Sequence, residues 1–287
     1  MSSLNNVRGT DVSFALDDPA TALASLFRPV CRGRRPLGLK VTTEFDGLDL
    51  MFTCFEWLDT RDQSILLAAV GLAGIERASL SAGTASEIGQ QLWADLEPVK
   101  DALRGKAVVV TTTYYALLQA AGLPTRGGAG GDYERVKEIL YRLSQVGCRV
   151  KKDGYDWSMR MLSYASRPDG TIHIALNERF AEALGGGQNV RISLDERRRL
   201  KSEPAQIMHA WLTATTRPGG KGVWTGLDTL ATRVWGVEAQ QDGTRRKRRS
   251  KLLEALGEIE QHGWKIEERG RGGRHQVRVQ RPKILGK

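Results

Sequence analysis

The sequence is poor in cysteine and histidine, and both shortages limit the chemistry open to the chain. Its 287 residues include three cysteines, Cys31, Cys54 and Cys148, with no CxxC spacing. So sparse and odd a set does not form a disulfide framework and fits a reducing, cytoplasmic environment. The four histidines lie in different predicted elements, without an HxH pair or a cysteine at metal-ligand spacing. We therefore expect no metal site, no cofactor site and no catalytic residues.

Long apolar runs are also missing. No stretch of about 18 apolar residues occurs, so a membrane span is not expected. The first twenty residues lack the basic-then-apolar order of a secretory signal. Gly219-Gly220-Lys221-Gly222 has some likeness to a phosphate loop but lacks the first spaced glycine and the Ser or Thr after the lysine. It is interpreted as a turn, and no nucleotide hydrolysis is expected.

Positive charge is present in excess, and it is unevenly placed. Residues 201–287 contain 18 Lys and Arg against 9 Asp and Glu, so they carry +9 of the net charge of +10. Such asymmetry favours a polyanionic partner, with nucleic acid first and an anionic membrane surface second. The alternative is an ordinary soluble protein with a modest positive charge.

The first part of the chain is predicted to open with a weakly ordered N-terminal arm, residues 1–35. Two β-rich runs joined by Asp46-Gly47 then indicate a hairpin. The apolar periodicity predicts helices over residues 59–74 and 86–100. These elements precede the more informative part of the pattern.

From residue 107 the pattern predicts a short strand, a short helix closed by Gly122, a glycine-rich turn, a long helix and a strand-turn-strand hairpin. The bend of the hairpin is placed at Pro168-Asp169-Gly170. The long helix has a buried face, and its other face is predicted to expose Glu134, Lys137, Glu138, Tyr141 and Arg142. Short helix, turn, long helix and hairpin is the order of a winged helix-turn-helix.

The same order returns after Ser202, with a short strand over residues 222–224 and a short helix closed by Gly236. A long helix and a strand, glycine-rich tip and strand complete the second copy. Aligning Gly147 with Gly263 places apolar residues on apolar residues without a gap: Val136 on Leu252, Leu140 on Leu256, and Leu143 on Ile259. The sequence therefore predicts an internal duplication, and an α+β fold with two tandem winged-helix domains, residues 36–185 and the strongly basic residues 186–287.

The strongest candidate binding site is the basic start of the second long helix. With the apolar face as core, Lys247, Ser250 and Glu254 point away from it, flanked by Arg246 and Lys251. Arginine and lysine there can bond guanine O6 and N7 in the major groove. A solvated charge run or a nuclear-localisation-like patch is the alternative. The run consists of Arg245, Arg246, Lys247, Arg248, Arg249, Ser250 and Lys251.

Further DNA contacts are predicted from the wings. In the second unit they comprise Arg269, Arg271 and Arg274 at the glycine-rich tip, with Arg278 and Arg281 on the returning strand. In the first unit the candidates are Lys137, Tyr141, Lys151, Lys152 and Arg160. Whether the first unit reads bases or mainly dimerises is left open. Four tryptophans are expected in the second core: Trp211, Trp224, Trp235 and Trp264.

Several segments of the chain resemble a known family. They are similar to RepC, the iteron-binding replication initiators of IncQ-type broad-host-range plasmids. The segments are ALNERFAEALGGGQNVRISLDERRRL from Ala175, the helix SEPAQIMHAWL, and LDTLATRVWG followed by RRKRR, ALGEIEQHGW and QRPK. The resemblance implies binding to directly repeated origin sequences and opening of a neighbouring AT-rich segment. It also implies action beside a plasmid-encoded helicase and primase, and exchange between monomer and homodimer.

Three other functions are compatible with parts of the pattern. A winged-helix transcriptional regulator would use the same fold. A nicking or priming enzyme would need a tyrosine with a histidine-rich metal site or a carboxylate cluster, and neither is visible. An interaction protein whose wings bind other proteins is disfavoured by the +9 balance of residues 201–287.

Overall fold

The structure, a computed structural model, describes residues 12–283 except Cys31, Arg32, Arg34, Arg77 and residues 126–130. Most of the glycine-rich turn predicted before the first long helix lies outside the described residues. The earlier elements are β1 (Phe14–Asp17), α1 (Pro19–Leu23), β2 (Leu37–Phe45), β3 (Leu48–Glu56), α2 (Thr60–Glu76), β4 (Ala78–Leu80), α3 (Glu87–Asp95), β5 (Ala107–Thr113), α4 (Tyr114–Ala121), α5 (Asp132–Ser144), β6 (Gly147–Lys152), β7 (Tyr155–Arg160), β8 (Leu162–Ser166), β9 (Thr171–Leu176) and α6 (Glu178–Leu184). The later elements are β10 (Val190–Ser193), α7 (Leu194–Arg199), α8 (Glu203–Thr215), β11 (Thr225–Gly226), α9 (Leu227–Trp235), α10 (Asp242–Glu260), β12 (Lys265–Arg269) and β13 (Gln276–Gln280).

The same arrangement of helices and strands occurs twice. In the later copy α8, α9 and α10 pack together beside a sheet of order β11-β13-β12. In the earlier copy α2, α4 and α5 pack together, and β5-β9-β8 repeat that order, with β4 added at the edge. A helix, a strand, two helices and a hairpin whose second strand is central form a winged helix-turn-helix. The predicted α+β fold with two tandem winged-helix units is confirmed.

The first unit differs from the prediction after α5, because two hairpins follow that helix instead of one. β6 and β7 turn at Asp153-Gly154 and extend a separate sheet of order β2-β3-β6-β7. β8 and β9, which turn at residues 167–170, occupy the wing positions. Cys148 and Val150 of β6 are buried like the residues of a wing strand, so alternation alone could not separate the inserted hairpin from the wing.

Two predicted element bounds were also wrong. The helix predicted over residues 86–100 ends at Asp95, since Pro98 follows and Glu97 and Lys100 adopt positive φ angles of 48° and 58°. The strand predicted over residues 222–224 lies slightly later, at Thr225–Gly226.

Residues 12–28 of the N-terminal segment pack on the first unit, which differs from the weakly ordered arm predicted over residues 1–35. β1 pairs antiparallel with β10, and Leu26 and Phe27 are buried in the first core. Asp18 caps α1 and also accepts a hydrogen bond from Arg179 at 2.6 Å. An Asp before Pro19 is a helix-start signal that the composition of the segment obscured.

The two units meet along α7. The second core begins at Leu200, whereas β10, just before α7, pairs within the first part of the fold. Arg197 is buried on α7 and donates hydrogen bonds to Thr60 O and Ser64 Oγ of α2, and to Gln206 O of α8 at 2.7 Å. Arg197 therefore links α2, the first helix of one winged helix, to α8, the first helix of the other. The domain boundary at residues 185/186 stays a prediction.

A buried histidine reinforces this junction. His209 of α8 is 1% exposed, and its Nε2 lies 2.9 Å from Oε2 of Glu196 on α7. Trp264 Nε1 donates to the same oxygen at 3.0 Å. Burial lowers the pKa of His209 although the bond to Glu196 opposes that shift, so the ring is neutral and Nε2 carries the proton. One carboxylate thus joins α7, α8 and the start of β12.

Candidate nucleic-acid interface

The second helix-turn-helix is closed tightly before its long helix begins. α9 ends at Trp235 and is capped by Gly236, whose left-handed conformation (φ 71°) lets its N–H bond Thr232 O at 2.7 Å. α10 then starts at Asp242, and its face toward the core consists of Leu252, Ala255, Leu256 and Ile259. The basic run predicted from the sequence lies in the first half of this helix.

Two arginines of the run, Arg248 and Arg249, are held by neighbouring elements. Both guanidinium ends of Arg249 donate to the carboxylate of Asp228 on α9, which lowers the pKa of Asp228. Arg248 donates to Val237 O at 2.6 Å. The guanidinium of Arg248 also lies over the ring of Trp235, 5.1 Å from its centroid. These contacts fix α10 against α9.

Arg245 is held within its own helix start. Its guanidinium pairs with Asp242 at 2.8 Å and donates to Ala239 O at 3.3 Å. With Arg248 and Arg249, it therefore supports the geometry of the turn that leads into α10.

The remaining members of the run face solvent. Arg246, Lys247, Ser250 and Lys251 are exposed, and no other described residue bonds or pairs with the side chains of Arg246 and Lys247. Ser250 Oγ donates to Oε1 of Glu254 at 3.0 Å. This surface, Arg246, Lys247, Ser250 and Lys251, is hereafter called the α10 face. Its positive side chains are available to an anion without breaking an internal ion pair.

The second wing ends in a tip shaped by glycine. Gly270 has a φ of 74°, and a Cβ there would lie 2.3 Å from Arg274 O, so the tip requires glycine. Arg271 and Arg274 are exposed at this tip, and neither forms an ion pair with a described residue. At the root of the wing, His275 Nε2 lies 2.8 Å from the carboxylate of Glu268.

Trp224 does not lie in the second core, contrary to the prediction. It is half-buried on the outer face of the wing sheet, under Arg269 at 4.2 Å and Arg278 at 4.8 Å from its ring centroid. Arg269 also donates to Gln276 Oε1 at 2.8 Å, and Arg278 pairs with Glu267. Both arginines are therefore engaged in the wing itself, unlike those of the tip.

The other three tryptophans contact the second core, with Trp264 fully buried and Trp211 and Trp235 half-buried against it. Arg281, predicted to extend the basic stripe, is only 8% exposed. It donates to Thr213 O at 3.0 Å and to Arg191 O at 2.9 Å, so it belongs to the junction between the units.

In the first unit, α5 is the helix equivalent to α10, and its exposed surface differs in charge from the α10 face. On α5, Lys137 pairs with Glu134 at 2.7 Å, and Glu138 is exposed one turn away. Tyr141 is 58% exposed on the same helix. Arg142, which the periodicity predicts to be exposed, instead bonds Asp62 of α2 at 2.8 Å. The face of α5 is therefore balanced in charge where the α10 face is strongly positive.

The basic residues predicted near the first wing lie on the inserted hairpin. Lys151 and Lys152 are exposed at its turn, and Arg149 is paired there with Asp156 at 2.5 Å. Arg160 at the far end of β7 bonds Glu97 through both ends of its guanidinium. Lys151, Lys152 and Arg160 therefore lie on a different sheet from the β8–β9 wing, to which the sequence pattern assigned them. Their contact with DNA stays a prediction.

The equivalent helices α5 and α10 also differ in length. Superposing Leu140 on Leu256 makes Asp132, the first residue of α5, equivalent to Arg248. α10 begins six residues earlier, at Asp242, which adds about 9 Å of helix. The added turns contain Arg246 and Lys247. Only the second unit thus has an extended basic helix start.

The described residues contain no group of three or more His, Cys, Asp or Glu side chains arranged to hold a metal ion. Within the same described part of the chain, no helix combines the length and apolar character needed to cross a bilayer.

Comparison with known proteins gives a family and a fold. A family model described as Replication protein C (RepC) matches residues 9–283. No curated protein matches the chain. The crystal structure of domains 2 and 3 of RctB is similar at a TM-score of 0.52 and 10% identity, covering 91% of this chain and 97% of that chain. The crystal structure of the Pi initiator protein in complex with iteron DNA gives a TM-score of 0.49 and 13% identity, covering 77% of this chain and 89% of that chain.

Proposed function

Because the chain belongs to the Replication protein C (RepC) family, we propose that it is a plasmid replication initiator that binds directly repeated sequences at the origin as double-stranded DNA. The observation that carries the proposal is the α10 face, an unpaired basic surface at the start of a winged-helix reading helix. A helix presented in this way enters the major groove, where Arg and Lys bond guanine O6 and N7.

The second unit supplies most of the affinity. Arg246, Lys247 and Lys251 meet the groove and its phosphates, and Arg271 and Arg274 at the wing tip meet the adjacent minor groove. The charge-balanced α5 adds shape and a tyrosine but little attraction for phosphate. The first unit therefore sets register along the duplex more than binding strength.

Occupation of consecutive repeats leads to opening. The units are joined by buried contacts of Arg197, His209 and Arg281, so each bound chain presents both reading helices in one relative orientation. A rigid pair imposes its own geometry on DNA, and pyrimidine–purine steps in an AT-rich segment deform most easily. Recruitment of a plasmid helicase and primase, and a homodimeric resting form, complete the proposed role; the chain itself performs no catalysis.

Selection of bound duplexes from a random pool, followed by footprinting on the plasmid origin, tests this proposal. We expect one long asymmetric site, repeated in the same direction beside an AT-rich segment. A single palindrome over a promoter would instead support a transcriptional regulator. Nicking of supercoiled origin DNA in the presence of Mg²⁺ would contradict the non-enzymatic role.

A further inference from the structure

Two half-buried tryptophans each lie beneath an arginine that belongs to a DNA-contacting part of the second unit. Trp224 precedes β11, and since Thr225 pairs with Val277, it lies beside Arg278 on the outer face of the wing sheet. Trp235 is the last residue of α9 and lies beneath Arg248 of α10. The two rings therefore serve different elements, the wing and the reading helix.

The contacts of Trp224 fix the root of the wing. Arg269 is the last residue of β12, directly before the glycine tip, and its guanidinium lies 4.2 Å from the Trp224 centroid. Arg278, whose guanidinium lies 4.8 Å from the centroid of the same ring system, pairs with Glu267, which Lys221 also approaches at 3.3 Å. A planar guanidinium stacked on an aromatic ring loses most of its rotational freedom. The tip that follows Arg269 thus leaves the sheet in one direction.

The contacts of Trp235 fix the start of α10 in the same manner. The ring packs against the second core, and Arg248 above it is anchored by Val237 O at 2.6 Å. Arg248 is adjacent in sequence to Lys247 of the α10 face. If Arg248 lost its support, the start of α10 would keep the Arg249–Asp228 contact with α9 but lose the contact nearest to Lys247.

From these contacts we infer that Trp224 and Trp235 are positioning residues, Trp224 for the wing tip and Trp235 for the α10 face. Neither ring needs to touch DNA, because each acts through the arginine that it holds. The inference rests on the proposed function, since it assigns to the two elements separate grooves of one bound duplex. Loss of the Trp224 ring should therefore affect the wing tip alone, and loss of the Trp235 ring should affect the α10 face alone.

The test uses the full chain and the duplex that the wild-type protein selects from a random pool. Leucine replaces each tryptophan with an apolar side chain that has no aromatic face, and phenylalanine restores a face. W224L, W224F, W235L and W235F are compared with W211L, a control in a half-buried tryptophan that packs on the same core. Hydroxyl-radical cleavage reports minor-groove contact, and dimethyl sulfate reports protection of guanine N7 in the major groove.

We expect W224L to lose the minor-groove footprint of the wing while guanine N7 protection persists, with binding about three- to tenfold weaker. W235L should weaken guanine protection and leave the wing footprint, and each phenylalanine variant should recover most of the lost footprint. W211L should retain both. Thermal unfolding of every variant is measured alongside.

Several results would overturn the inference. The inference is wrong if W224L weakens both footprints equally, or if W224L and W235L leave both footprints unchanged. It is also wrong if phenylalanine at either position fails to restore the lost footprint. If a leucine variant unfolds, the phenylalanine variant decides, because a folded W224F without the wing footprint contradicts the role. Absence of any discrete wild-type footprint would defeat the proposed function as well, whereas an intact wild-type footprint with unaffected variants defeats only the inference.

Discussion

Removing the positive charges of the α10 face should reduce DNA affinity and its dependence on salt together. The change is the triple substitution R246Q, K247Q and K251Q, which keeps long polar side chains and removes three charges. These residues are exposed, and Arg246 and Lys247 bond no described side chain, so the folded state loses little. The effect should therefore appear in binding and not in stability.

The expected magnitude follows from counterion release. Each lost phosphate contact lowers the slope of log Kobs against log salt by about 0.9, so three contacts lower it by about 2.7. If the variant and the wild type bind equally at 1 M salt, that difference in slope makes the variant weaker by about two orders of magnitude at 0.15 M salt. If one of the three side chains reads a base, its loss also relaxes specificity at one position by about 1–3 kcal/mol.

Fluorescence anisotropy of a labelled duplex, titrated at several KCl concentrations, measures both quantities. The matched control is R104Q, K106Q and R199Q, which removes the same charge from exposed positions outside the interface. It should leave the slope within about 0.5 of wild type, since distant charges are screened at these salt concentrations. A triple α10 variant with the wild-type slope and an unchanged melting temperature would refute the assignment.

Three further outcomes follow from the junction and the wing. R197M should lower the free energy of unfolding in urea by about 2–4 kcal/mol, because buried carbonyl acceptors lose their donor, whereas R199M at an exposed position should change it by less than about 0.5 kcal/mol. His209 has a lowered pKa in the folded protein, so the unfolded chain takes up a proton at higher pH than the folded protein. The free energy of unfolding should therefore fall as the pH drops below about 6.5, by at most about 1.4 kcal/mol per pH unit. Urea titrations from pH 5.5 to 7.5 should show that H209Q lacks this pH-dependent component. G270A should weaken DNA binding about tenfold in the anisotropy assay with little change in melting temperature, since its Cβ would meet Arg274 O at 2.3 Å and force the tip to rearrange.

The duplicated part of the fold could be predicted from the sequence because its signals are local. Apolar residues at helical spacing placed Val136, Leu140, Leu252 and Leu256 correctly in the two cores, and Gly236 marked the end of a helix. The resemblance to RepC, carried by several segments after Ala175, is confirmed by a family model over residues 9–283. Both predictions used patterns that occur within short stretches of sequence, namely the helical spacing of apolar residues and short family-like segments.

The features missed depend on pairing between distant parts of the chain. Nothing local distinguishes a β6–β7 hairpin that joins β3 from one that forms the wing. Arg281 and Arg142 have the sequence context of exposed basic residues, yet Arg281 is buried and Arg142 half-buried, each bonded to partners more than sixty residues away. Trp224 occupies an apolar position in the pattern but faces arginines across the sheet. Side-chain partners of this kind are set by tertiary packing.

The candidate site shows the same limit in a sharper form. The run 245–251 was predicted as one basic cluster, but the structure divides it into side chains that hold α10 in place and side chains that face solvent. The division follows the helix period: Arg245, Arg248 and Arg249 lie toward α9 and its following turn, while Arg246, Lys247 and Lys251 lie away from it. The number of charges in the run therefore overstates the binding surface about twofold, because an arginine paired with Asp228 cannot release a counterion from DNA without giving up that pair. In the first unit α5 also has basic residues, but Lys137 pairs with Glu134 and Arg142 pairs with Asp62. The two helices thus differ in the number of cations that have no internal partner among the described residues, and on this basis we expect the second unit to provide most of the attraction for DNA.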